Sequence, residues 1–442
     1  MNLTTALRLG PMPRVALVGG GGKTTTLFTL AHEYPAPVIV AATAHMAIEQ
    51  LTLTDQHIVV EDSAPIDVPR LAGLTFFTGP PQRGAAGQTT GLSPQAMQRV
   101  FELANQHHAP LFIEADGSKC RPLKAPAEHE PPIPDFVEAV IYVVGLSGLG
   151  QPLKAEQVHR VERYAALSGL SINETITGEA MARVLRSPMG GLKNVPATAR
   201  RIALLNQADT PELQAQAQAL ARQLLPTYQS VVIAALKYQG VFAAHESTLG
   251  VILAAGAATR MGQPKPLLLW RGEPFIRQVA RTALAAGLSP VIIVAGERLA
   301  EMAAAVADLP VQVVHNADWA AGQSASVRCG LQARPAETGS AIFLLADQPQ
   351  IPIELVRGLI ELHAQSLPPI VAPLIDDQRG NPVLFDRATF NDLLSLSGDV
   401  GGRAVFARHR VTYLPWPDAS LLLDVDTPED YARLKRLEAR SA

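Results

Sequence analysis
Two stretches of this chain open alike. An unbroken apolar run passes into a glycine-rich turn and then into a helical spacing of apolar residues, first over Val15–Thr26 and again over Gly250–Lys265. Each opening predicts the start of an α/β domain. After the second, strand-like and helix-like patterns alternate: Val251–Ala255, Phe275–Ala286, Val291–Ala295, Leu299–Ala307, Val311–Val314, Ala341–Ala346 and Leu355–Ala364. This alternation predicts a mostly parallel, doubly wound, Rossmann-like sheet, whose ligands bind beyond the carboxyl ends of the strands, where the glycine turns lie. In the first half, Leu213–Leu225 has helical spacing and Val231–Ala235 reads as a strand, which places a boundary between residues 236 and 248. The expected domains are residues 1–245 and 246–442.

Composition narrows the class. Hydrophobic residues make up 48% of the 442 positions and charged residues 17%, below the ~25% usual for soluble domains, which argues for well-buried sheets and against disorder. A formal net charge of -3 gives no overall attraction to nucleic acid or to an anionic membrane. The longest apolar runs fall far short of the ~20 residues that span a bilayer. Cys120 and Cys329 are too far apart for a CxxC zinc or redox site. The first apolar run enters a glycine cluster and not a cleavage site, so no secretion signal is legible and a cytoplasmic protein is expected.

The second half carries the denser chemistry. Leu253-Ala254-Ala255-Gly256 begins a turn that continues through Arg260 and Gly262 to Lys265; its small residues let backbone N–H groups approach a polyphosphate, and its two cations bond phosphate oxygens. Asp347-Gln348-Pro349 follows the apolar run Ile342–Ala346, so Asp347 is a candidate magnesium ligand at a strand's carboxyl end. A cap for the next helix is its alternative role. Asp424 and Asp426, at i and i+2 on an expected strand, point the same way and suit a shared cation. The alternative gives Asp426 or Thr427 a capping role only.

The series LAAGxxxRMGxxK, DQP, RGNP and DVDTPED, spanning Leu249–Leu437, resembles the molybdenum cofactor nucleotidyltransferase family. The resemblance implies magnesium-dependent transfer of a nucleoside monophosphate from a triphosphate to the terminal phosphate of molybdopterin, with release of pyrophosphate. Carried over residue by residue, the glycine turn and Arg260 hold the triphosphate, Lys265 neutralises the α-phosphate, and Asp347 with Asp426, and Asp424 as a further candidate, bind magnesium. Guanylyl-transferring relatives usually have glycine where Ala255 stands, so the resemblance implies CTP. His315–Ser326 resembles the base-reading segment, with Ser324 and Ser326 as candidates. Gly380-Asn381-Pro382, after Arg379, resembles the pterin-side loop, although many relatives have His in place of Asn381. Gly398–Arg403 is a further loop that can bring a cation to the cofactor phosphate.

The first half has a shortened phosphate loop. Arg14–Val18 runs into Gly19-Gly20-Gly21-Gly22-Lys23-Thr24-Thr25, whose backbone donors and Lys23 can wrap a phosphate chain while Thr24 offers a hydroxyl to magnesium. Leu17 stands where the full pattern has glycine. Leu111–Ile113 leads into Glu114 and Asp116, of which Asp116 is the stronger magnesium candidate. Asn206-Gln207-Ala208-Asp209 resembles the guanine-reading segment of GTPases; a helix start capped by Asp209 or Thr210, with Pro211 in the first turn, accounts for it equally. A P-loop-like domain taking GTP or ATP is expected. With Ala42–Met46, Glu114–Pro132 and Val143–Arg160, the region Val15–Asp209 resembles the accessory proteins of selenium-dependent hydroxylases (YqeC type), which implies maturation of molybdenum hydroxylases and an apo-hydroxylase partner. His45, His129 and His159 lack the spacing of a metal triad. Guanylyl transfer, nucleotidyl transfer to a sugar phosphate, and a non-catalytic nucleotide-switched cofactor chaperone are the competing readings.

Overall fold
Continuous apolar runs fold as strands covered on both faces. In the computed structural model, which describes residues 1–62, 65–66, 68, 71–82, 87–256 and 264–441, the chain divides into two compact units, Met1–His245 and Glu246–Ala442. The first is built on β1 (Arg14–Gly19), α1 (Lys23–Glu33), β2 (Val38–Ala42), β3 (Gln56–Val59), β4 (Leu74–Thr78), α2 (Pro94–Gln106), β5 (Leu111–Glu114), β6 (Ala139–Gly145), β7 (Arg200–Asn206), α3 (Pro211–Leu224), β8 (Ser230–Ala235) and β9 (Gly240–Glu246). Its nine-stranded sheet has the order β9-β8-β7-β6-β1-β5-β2-β4-β3, with β1 in the middle. From β8 to β3 the strands are parallel. Their carboxyl ends therefore deliver Gly19, Glu114, Gly145 and Asn206 to one edge.

At that edge β1 turns sharply into α1. Gly21 has φ +77°, and a Cβ there would lie 2.2 Å from the backbone nitrogen of Gly145, so only glycine fits. Gly21 N–H donates to the Arg121 carbonyl at 3.0 Å, and Asn206 Nδ2 donates to the Gly21 carbonyl at 2.9 Å. Gly22 precedes α1 without a side-chain cap, which leaves the first backbone donors of the helix unclaimed by a cap.

A buried chain of charges supports this turn. Asp116, 3% exposed, accepts from Gly19 N–H and pairs with Lys23 Nζ at 3.3 Å and Lys124 Nζ at 2.8 Å. Lys124 also binds the Gly117 carbonyl at 2.6 Å and Glu130 at 2.9 Å, and Arg160 grips Glu130 with two bonds of 2.7 and 2.8 Å. Burial opposes ionisation of Glu130, but the hydrogen bonds from Arg160 and Lys124 outweigh it and hold the carboxyl down to about 2.

The second unit contains β10 (Thr248–Ala254), α4 (Phe275–Ala285), β11 (Val291–Ala295), α5 (Leu299–Ala305), β12 (Gln312–His315), α6 (Gln323–Gln332), β13 (Ser340–Leu345), α7 (Ile353–Ser366), β14 (Ile370–Ile375), β15 (Gln378–Arg379), β16 (Val383–Asp386), β17 (Val411–Pro415) and α8 (Pro428–Ser441). The sheet runs β12-β11-β10-β13-β16-β14-β15, with β17 also paired to β14. Strands β10 to β13 are mutually parallel, but β16 is antiparallel to both β13 and β14. The expected mostly parallel sheet is thus mixed at this end, because the short stretch from β14 to β16 is enough for an antiparallel return and not for a parallel crossover. Side chains of β10 alternate between two apolar layers, Ile252 toward Ile276 and Leu355 and Val251 toward Val327 and Leu331, so helices cover both faces. Among the described residues no helix is long and apolar enough to cross a membrane.

Two outcomes follow for the first unit. Gly21→Ala forces a methyl group against the Gly145 backbone and is expected to lower stability in urea by about 1–3 kcal/mol; an unchanged midpoint would show that the turn tolerates a side chain. Because the folded carboxyl of Glu130 lies below its unfolded value of 4.5, its contribution, on the order of 3 kcal/mol, is present above pH ~4.5 and is lost as pH falls toward about 2. Glu130→Gln should reduce stability at neutral pH and flatten the loss between those limits in acid titrations followed by circular dichroism.

Candidate active site
The end of β10 opens into a cleft. Leu253, Ala254, Ala255 and Gly256 line a cavity of about 610 Å³ whose other walls include Trp319, Gln323, Ser326 and Asp347. Parallel strands put this cavity at the carboxyl edge, and the start of α6 closes one side. Gly322, at φ +101°, begins α6 without a side-chain cap of its own, and Asp399 accepts from Gln323 N–H at 3.3 Å in its place. Ser324, expected to contact nucleotide, is fully buried and donates to the Gly398 carbonyl at 2.7 Å, so it anchors the 398–403 loop instead. Ser326 lines the cavity and accepts from Asn316 Nδ2 at 3.0 Å.

Three acids and a lysine meet at the rim. Lys265, in the one-turn helix Lys265–Leu267, pairs with Asp426 and lies 3.8 Å from Asp347 Oδ2. Asp347 caps nothing, since α7 is preceded by Pro352. Asp426 is also released from capping: Thr427 Oγ1 and Asp430 bond each other reciprocally at the start of α8, with distances of 2.8 and 3.2 Å. Asp424 and Asp426 face outward while Leu423 and Val425 are buried, as their alternation predicts, but the segment pairs with no strand. Burial pushes the Asp347 carboxyl up; Lys265 pulls it down, and repulsion from Asp424 and Asp426 adds to the rise. Burial raises Asp424 as well, opposed by the amide of Gln348. Gln348 donates from Nε2 to Asp424, and its Oε1 is buried without a partner.

This donor set fits a hard divalent cation. Among the described residues no group of three or more His, Cys, Asp or Glu side chains forms a ready metal cage. Magnesium does not need one, since it commonly takes one or two carboxylates and completes its shell with phosphates and water. Crowded carboxylates with raised proton affinity, as at Asp347 and Asp424, are what such an ion would relieve.

A second cavity of about 280 Å³ shares Leu253, Gln323 and Leu345 with the first. Arg379, Gly380, Asn381, Arg403 and Asp424 line it with Phe343, Phe385 and Phe406. The loop expected on the acceptor side is thereby brought beside the larger cavity, except that Pro382 is not among the lining residues. Arg260 and Gly262 lie outside the described residues. Sequence reasoning named the segments that hold Trp319, Gln348 and Asp399 but gave these three residues no role of their own; a signal for Gln348 was present in its position between Asp347 and Pro349.

In the first unit Lys23 is folded onto its own turn, donating to the Gly19 carbonyl at 2.8 Å. Both oxygens of Asp116, the expected magnesium ligand, are engaged by lysines in this arrangement. Glu114 is the carboxylate beside Thr24, whose hydroxyl donates to it at 3.2 Å, and burial raises its proton affinity against the pull of Lys23. Thr210, and not Asp209, caps α3, with Pro211 in its first turn. Asp209 is exposed, and Asn206 ties the glycine turn to Leu236 N–H.

Comparison with known proteins gives each unit a family. The family model of the YqeC protein matches residues 15–162, and that of the MobA-like NTP transferase domain matches residues 250–412. The chain is 33% identical over 196 residues to the uncharacterized protein YqeC of Escherichia coli (strain K12), covering 44% of this chain and 75% of that one. It is 34% identical over 197 residues to nicotine blue oxidoreductase of Paenarthrobacter nicotinovorans, covering 42% and 95%. With the molybdenum cofactor cytidylyltransferase of Escherichia coli (strain K12) it shares 26% over 186 residues, covering 42% and 94%. The chain is a fusion that belongs to the YqeC family through its first unit and to the MobA-like NTP transferase family through its second.

Proposed function
We propose that residues 246–442 transfer CMP from CTP to the terminal phosphate of molybdopterin cofactor, releasing pyrophosphate. The observation that carries this reading is the meeting of Lys265, Asp347, Asp424 and Asp426 where a nucleotide-sized cavity adjoins an arginine-lined one. Similarity to a molybdenum cofactor cytidylyltransferase supports the choice of donor and acceptor. Asp347, Asp424 and Asp426 would hold magnesium, which when bound neutralises triphosphate charge.

The chain's own residues do the rest. An oxygen of the acceptor phosphate bonds to the α-phosphorus while the bond to the β-phosphate oxygen breaks, and the electron pair leaves with pyrophosphate. The acceptor is already an anion, so a strong general base is not required; positioning and charge neutralisation carry the rate. Lys265 supplies a cation at the α-phosphate, and Arg379 and Arg403 line the side from which the acceptor arrives. The Cβ of Ala255, on the cavity wall, narrows the base space and favours a pyrimidine.

The first unit is read as a P-loop-like domain that binds GTP or ATP through Gly19–Gly22, Lys23, Thr24 and Thr25. Release of Lys23 from the Gly19 carbonyl frees its ammonium for phosphate. The whole chain then serves a cytoplasmic maturation pathway of molybdenum hydroxylases, with an apo-hydroxylase as partner.

Pyrophosphate release by the full chain, with magnesium and molybdenum cofactor, should occur with CTP and much less with GTP. Asp347→Asn should lower it by at least ~100-fold, and turnover retained in that variant would overturn the reading. Ala255→Gly should shift preference toward GTP without changing the magnesium requirement; an unchanged CTP-to-GTP ratio would show that Ala255 does not set the base.

A further inference from the structure
Of the chain's three tryptophans, two serve the interior. Trp270 packs in a core with Phe275 and Val425, Trp416 lies against the layer that holds Ile252 and Leu355, and the Nε1 of each is buried. Trp319 is different. Among the described residues it belongs to no core cluster of the second unit. It is half-buried at the wall of the larger cavity, where it is the one aromatic ring among the described lining residues. An indole outside the core gives up the apolar burial that usually fixes this side chain, so its face is left for something that enters the cleft.

The fold nevertheless holds the ring in place. Trp319 opens the one-turn helix Trp319–Ala321. Just before it, the buried Asn316 makes three bonds: its backbone N–H donates to the Ala295 carbonyl at 2.8 Å, its Oδ1 accepts from Asp318 N–H at 3.1 Å, and its Nδ2 donates to Ser326 at 3.0 Å. The turn is thereby tied to β11 on one side and to α6 on the other. Directly after β11 the ring meets Gly296. A Cβ there would lie 2.9 Å from Trp319 Cγ and 3.2 Å from the Ala255 carbonyl, although the φ of Gly296 lies outside the left-handed region. Glycine is therefore required by the ring and not by the backbone, and the indole comes to rest beside Ala255.

We propose that Trp319 is the plane on which the nucleobase of the donor nucleotide stacks, with Asn316 and Gly296 positioning the ring. The inference rests on the transferase reading of the cleft and separates the roles within it. Lys265, lining the same cavity, meets the phosphates; Trp319 supplies affinity for the base; Ala255 supplies the choice between bases. Every base has a π-face, so stacking adds affinity without choosing among them.

The test is nucleotide binding to the full chain with magnesium, followed by calorimetry and by tryptophan emission, the second unit's event being the one that Lys265→Ala weakens. All three tryptophans lie in this unit, so the first unit adds no emission signal. CTP should quench the emission of the unsubstituted chain. Trp319→Leu should weaken CTP about 5- to 100-fold and leave the CTP-to-GTP ratio unchanged. Inorganic tripolyphosphate, competing for the same event, should keep its affinity in that variant. Trp319→Phe retains a ring and carries the test should the Leu variant not fold: CTP binding should largely persist while the quench vanishes. Gly296→Ala, which displaces the ring without removing it, should weaken CTP as well. Unchanged CTP affinity in Trp319→Leu, an equal loss for tripolyphosphate, a quench that survives in Trp319→Phe, or no quench by CTP in the unsubstituted chain would each overturn the proposal. Since none of these readouts needs turnover, stacking without pyrophosphate release would count against the transferase reading alone.

Discussion
A carboxylate taken out of water has to meet a cation, and both units answer that demand with a lysine at the carboxyl edge of a parallel sheet. In the first, Lys23 and Lys124 close on Asp116, and Glu130 and Arg160 extend the chain. In the second, Lys265 stands between Asp426 and Asp347. The difference is completeness. Lys124 is fully buried and its partners are saturated, while Asp347 and Asp424 remain crowded, with their proton affinity raised by burial and by neighbouring carboxylates, Asp424 and Asp426 on the first and Asp426 on the second. The first network braces a turn; the second leaves room for a ligand with positive charge.

Parallel strands make these clusters possible. Because adjacent strands end together, residues separated by a hundred positions arrive at one edge, as Gly19, Glu114 and Asn206 do around the glycine turn. Glycine is required where the turn presses on Gly145, since no side chain fits between two backbones at that distance. The same close approach appears at Gly330, where a Cβ would lie 2.5 Å from Val251 and α6 packs against β10. That contact sets the start of α6 beside the larger cavity.

The antiparallel strand β16 changes what the second unit can hold. Entering between β13 and β14, it carries Val383 and Phe385 into the wall of the smaller cavity, and the loop before it brings Arg379, Gly380 and Asn381. A fully parallel sheet would put a crossover helix there. The mixed sheet makes room for the smaller cavity next to the larger.

The sequence by itself determined the elements and their chemistry. Apolar runs of five or six residues and helical spacings between them sufficed for the strands and helices of residues 248–366, since burial on both faces leaves a continuous signal. Small residues from Leu253 to Gly256 and acids after apolar runs marked the cleft. Tertiary structure decided how those residues are used. Whether Asp426 caps a helix or faces Lys265 depended on Thr427 and Asp430 satisfying each other, a competition between adjacent acceptors that spacing leaves open. Ser324 proved to be an anchor because the 398–403 loop folds over it, and Asp116 was claimed by Lys124 through a contact the motif does not encode. Gln348 lay unnoticed inside a motif for the same reason. Local patterns record which groups are available, but the partner of a buried polar group is chosen by whichever donor the fold brings within hydrogen-bonding distance.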